Sequence, residues 1–90
     1  MKGLGQAHSE RMANWKILGI GPQGSPVEID GVDVWKYKWA SVGESVSLSH
    51  PSNLEQKHAF AVYQIDLQGH SIRFASAEVD TGVFAFYQFK

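Results

Sequence analysis

The segments 58–67, 71–79 and 83–89 are rich in aromatic, β-branched and small apolar residues. Tight-turn residues join them, Gln68-Gly69 after the first and Asp80-Thr81-Gly82 after the second. Consecutive extended runs with links this short form an antiparallel meander. In a sheet with one wetted face, every second residue is polar. Here Phe60 and Val62 alternate with Ala59, Ala61, Tyr63 and Ile65, and Phe84 and Phe86 alternate with Val83, Ala85, Tyr87 and Phe89. Both faces of the meander are therefore largely apolar. One face can cover the domain's own core; the other requires the N-terminal strands, a ligand or a second copy. The fold expected is all-β, an antiparallel meander curled into a small half-open barrel or sandwich. A homo-oligomer, most simply a twofold dimer, is expected to cover the apolar surface that remains.

The rest of the chain also reads as strands and turns. Residues 15–20 form a short apolar run that stops at Gly21-Pro22-Gln23-Gly24-Ser25-Pro26, where proline removes amide donors and fixes φ. Val27-Glu28-Ile29 alternates, and Asp30-Gly31 then supplies the positive φ of a two-residue hairpin turn. The run 32–40 reads as a strand, with Asp33, Trp35, Tyr37 and Trp39 on one face and Val32, Val34, Lys36 and Lys38 on the other. After an interruption at Val42-Gly43, residues 45–49 read as a half-buried strand with Val46 and Leu48 inward, and 50–57 as a polar loop. Residues 1–14 read as a flexible leader, with room for a short helical turn over 6–13 but no apolar repeat at helical spacing. The expected organisation is that leader followed by a single β domain over 15–90.

Composition removes whole classes of function. Ninety residues accommodate one domain. Eight basic against nine acidic side chains leave a net charge of −1, which offers no field for duplex nucleic acid or an anionic membrane surface. The absence of cysteine excludes disulfides, thiolate zinc sites, iron–sulfur ligation and a Cys nucleophile. No apolar run reaches the roughly 18 residues of a membrane-spanning helix, and the start does not read as a signal peptide. A cytoplasmic location is the expectation.

Few residue patterns point to chemistry. Gly19-Ile20-Gly21-Pro22-Gln23-Gly24 matches G-x-G-x-x-G, but a dinucleotide fingerprint needs a helix to open after the glycines, and Pro22 and Pro26 stand there instead. These are turn glycines. The stripe Trp35, Tyr37, Trp39 offers stacking surfaces for a sugar or another ligand, or simply core; strand alternation puts Lys36 and Lys38 on the far side, which spoils a single-strand nucleic-acid platform. His50 and His58 bracket one segment, so their rings can meet, yet their spacing matches no metal-ligand pattern. Ser49, His50 and Ser52 bring hydroxyls near an imidazole, and Asp66 and Glu78 supply carboxylates, but no nucleophile elbow is present. Glu78 shares a face with Phe74 and stands across a hairpin from Phe84, an environment that favours the neutral acid; the plainer alternative is an exposed acid closing a strand before Asp80.

The stretch Gly21-Pro22-Gln23-Gly24-Ser25-Pro26-Val27-Glu28-Ile29-Asp30-Gly31-Val32-Asp33-Val34-Trp35 and the ending Gly82-Val83-Phe84-Ala85-Phe86-Tyr87 resemble small bacterial proteins of uncharacterised function, including those carried on mobile gene cassettes. The resemblance spans 15–89 and brings no catalytic or binding residues with it. The function expected is therefore a non-enzymatic, self-associating module that binds a small molecule or a protein through an aromatic-lined concave face. Its walls would be Trp35, Tyr37 and Trp39, and its polar handles His58, Arg73 and Glu78. No catalytic residue, metal ligand or cofactor is assigned. The alternatives are a small enzyme in the barrel mouth using a histidine and a carboxylate, and an inhibitor-like module acting through its sheet edge.

Overall fold

The computed structural model describes residues 15–89; the expected leader and its helical turn lie outside the described residues. The architecture is a five-stranded antiparallel sheet and a two-stranded ribbon, and the sheet does not close into a barrel. The strands are β1 (Trp15–Pro22), β2 (Glu28–Ile29), β3 (Val32–Asp33), β4 (Ala40–His50), β5 (Asn53–Leu67), β6 (His70–Asp80) and β7 (Val83–Phe89). In the large sheet they stand in the order β1-β7-β6-β5-β4, so the meander β4 to β7 is extended by β1 on its far edge. Among the described residues no helix is long and apolar enough to cross a membrane.

β1 runs two residues further than the glycines and prolines suggest. Gly21 and Pro22 still pair with Phe84 and Val83. An edge strand has only one partner, so a proline there need not break the ladder. The polar segment after His50 is also a strand and not a loop. Pro51-Ser52 alone make the turn, fastened by Ser52 N–H on His50 Nδ1 (3.0 Å) and Ser49 Oγ–H on the Leu54 carbonyl (2.9 Å). Glu55, Gln56 and Lys57 are polar because this arm of the hairpin is exposed.

The run 32–40 is the main departure from the expected alternation. Asp30 and Gly31, at φ 53 and 81, make the hairpin turn between β2 and β3 as expected. Past Asp33, however, the chain enters a 3₁₀ turn, Val34–Lys36. The Asp33 carboxylate accepts from Trp35 N–H at 3.1 Å, and Trp39 Nε1–H donates to the Val34 carbonyl at 2.8 Å. Local side-chain bonds of this kind compete with a strand ladder, and here they win.

This segment forms a flap over one face of the sheet. Val27, Ile29 and Val34 of the flap bury Ile65, Ile72, Phe74 and Phe86, with Trp35 and Trp39 packed among them. The opposite face is covered largely by curvature. Tyr87 on β7 donates its hydroxyl to the Ser49 carbonyl on β4 at 2.8 Å, although β6 and β5 lie between those strands. Phe60 and Tyr87 meet edge to face at 5.3 Å, and His50 Nε2 reaches Asp80 Oδ2 at 3.3 Å. The sheet is therefore concave on this side, and Leu48, Phe60, Val62, Ala75, Val79, Ala85 and Tyr87 are buried within one chain. Much of the second apolar face needs no further cover.

Candidate ligand cleft at the open end of the concave face

The curl closes one end of the concave face and leaves the other open. Strand register fixes what stands there. Gln64 pairs with Arg73, Phe74 with Gln88 and Trp15 with Phe89. By alternation, Gln64, Arg73, Phe89 and Trp15 form one row across four strands, one step outside Val62.

A bulge in β4 adds the rim. Between the pairs Ser41↔Tyr63 and Ser45↔Ala61, β4 uses four steps against two on β5. Gly43 takes up the excess at φ 79, a conformation that disfavours a side chain, and its N–H donates to Ser41 Oγ at 3.1 Å. Glu44 follows directly. The result is a cleft of about 150 Å³ lined by Trp15, Glu44, Val62, Arg73 and Phe89. Trp15 and Phe89 meet edge to face at 5.2 Å and make its aromatic side.

Arg73 is positioned rather than neutralised. Its Nε–H donates to Gln64 Oε1 at 2.8 Å, and Gln64 in turn donates to Asp66 Oδ1 at 2.8 Å. It makes no ion pair with any carboxylate among the described residues. The terminal amino groups of a guanidinium held this way remain available to an incoming anion.

Of the six residues expected to share a site, Arg73 alone lies in this cleft. Trp35 and Trp39 are in the flap-side core, where Trp35 meets Phe84 at 5.4 Å and Trp39 meets Phe74 at 5.0 Å. Tyr37 is exposed just past the 3₁₀ turn. Glu78 does stand across from Phe84, but it is exposed and accepts the Gly82 N–H at 2.8 Å, which fastens the β6–β7 turn. His58 lies at the curled end, its ring 5.8 Å from that of His50, with Nε2 buried and unpartnered. Trp15, Glu44, Val62 and Phe89 line the cleft with Arg73 instead. Strand alternation puts Arg73 and Phe89 on one face, but Trp15 joins them only once β1 is known to pair with β7.

The histidine and serine groups do other work. His50 Nδ1 accepts from Ser52 N–H, which assigns the ring proton to Nε2, facing Asp80. Ser49 Oγ is bonded to a backbone carbonyl, and Asp66 accepts from Gln64, so neither is hydrogen-bonded to an imidazole. Among the described residues no group of three or more potential ligands converges to hold a metal ion. Burial raises the pKa of the Tyr87 hydroxyl above its usual 10.0. Compared with known proteins, the chain matches no family model, no curated protein and no solved structure.

Proposed function

We propose that this protein is a binding module whose concave face takes a small ligand with an apolar body and an anionic group. The observation that carries this reading is Arg73, held through Nε by Gln64 and with no carboxylate partner among the described residues, in a cleft walled by Trp15, Phe89 and Val62. A volume near 150 Å³ admits a body of about benzene's size. Apolar walls with one or two fixed polar groups are the usual make-up of a small-molecule site. Phenylalanine and phenylacetate serve as probes in an NMR titration. At least one should shift the Trp15 indole and the Arg73 and Phe89 amides, with Arg73→Gln weakening its binding about tenfold. If neither probe shifts the cleft, or if Arg73→Gln binds as well as the parent, the reading fails.

We also infer self-association along β1, with a second copy as the occupant. This strand is an open edge, and Ile17, Ile20 and Phe89 on its border are 44%, 41% and 53% exposed. Both edges carry a bulge, β1 between Ile17 and Gly19 and β4 between Ser41 and Ser45, and what sets β1 apart is its exposed isoleucines. Antiparallel pairing of β1 with itself is twofold and buries those isoleucines. Light scattering on sizing-column fractions should give a dimer that Ile17→Lys dissociates. A monomer at high micromolar concentration removes this part.

A further inference from the structure

The cleft contains a second charge. Glu44 lines it together with Arg73, and the two make no ion pair. The bulge at Gly43 sets the carboxylate on β4, while Arg73 is held two strands away on β6 by its bond to Gln64. Two opposite charges that share one apolar-walled cleft without touching each offer a pole to what enters. A simple carboxylate ligand satisfies Arg73 but meets the repulsion of Glu44; a simple amine satisfies Glu44 and meets the repulsion of Arg73. A molecule that carries both an ammonium and a carboxylate, attached to an apolar group, is complementary to both poles.

We propose that the cleft recognises a free α-amino acid with an aromatic or large aliphatic side chain. The Arg73 terminal amino groups take its carboxylate and the Glu44 carboxylate takes its ammonium. The side chain lies against Val62 and the Trp15–Phe89 pair, whose edge-to-face arrangement presents an aromatic surface. This inference rests on the reading of the cleft as a ligand site. It adds the ligand's chemical class and gives Glu44 a role in specificity.

The test is calorimetric titration of the full chain and of Glu44→Gln with three probes: phenylalanine, phenylacetate and phenethylamine. Phenylalanine should bind at least about fivefold more tightly than either single-charge analogue, the size of one partly exposed ion pair. In Glu44→Gln, phenylalanine should weaken about fivefold while phenylacetate tightens, which reverses the preference. Glu44 is exposed, and an unchanged NMR fingerprint of the variant verifies its fold. Phenylacetate binding as tightly as phenylalanine, or phenylalanine affinity unaltered in Glu44→Gln, overturns the amino-acid assignment and leaves the cleft as an anion site. Binding of none of the three overturns the cleft itself.

Discussion

On the flap face, the sheet is covered by a separate stretch of chain; on the concave face, it is covered by its own bending. The first solution gives continuous aromatic packing, in which Trp39 meets Trp35, Tyr63, Phe74 and Phe86 at ring distances between 5.0 and 5.7 Å. The second relies on a few cross-sheet ties, Tyr87 to Ser49 and His50 to Asp80, gathered at one end. A local cover can be cut to fit. In this sheet the curl closes one end, and the charged residues of the cleft stand at the other.

The difference can be broken on either side, and the flap face should break hardest. Phe74 is fully buried against three aromatic rings. Phe74→Ala should cost about 3–5 kcal/mol, read from the denaturant midpoint. A loss below about 1 kcal/mol, the scale of a surface change, would mean that the flap is not packed as described.

On the concave face, Tyr87→Phe removes one hydroxyl and no ring. It should cost about 1–2 kcal/mol, because the Ser49 carbonyl loses a buried donor. The same variant gives a pH signature. Burial holds the Tyr87 proton more tightly in the folded chain than in the unfolded one. Its contribution is complete below the unfolded value of 10.0 and is lost as pH rises through the higher folded value. Midpoints measured at about pH 8 and about pH 11 should therefore converge, the parent losing stability that Tyr87→Phe does not lose through this group. A constant gap between the two proteins counts against the buried tie.

Legibility in the sequence followed the range of the interactions. The meander was readable because its turns are local: Gln68-Gly69, Thr81-Gly82 and Asp30-Gly31 each declare themselves within a few residues, and β7 spans the 83–89 read from pattern. The flap was not, because Asp33 capping Trp35 and Trp39 bonding Val34 look from the sequence like ordinary positions of an alternating strand. The two apolar faces were legible, but the curl that hides one of them depends on Tyr87 meeting Ser49 across two intervening strands. Of the cleft, only Arg73 carried a signal. Glu44 owes its place to a bulge, and Trp15 owes its place to a pairing between the first and last strands.

That last pairing has a consequence for the order of assembly. The hairpins β4–β5, β5–β6 and β6–β7 join neighbours in the chain, whereas β1 must wait for the final strand before it has anything to zip against. Closing so long a loop is the slow kind of step. Contact order therefore predicts that Trp15 beside Phe89, the aromatic wall of the cleft, is completed late in folding. A molecule seated there would act as a clasp on that seam.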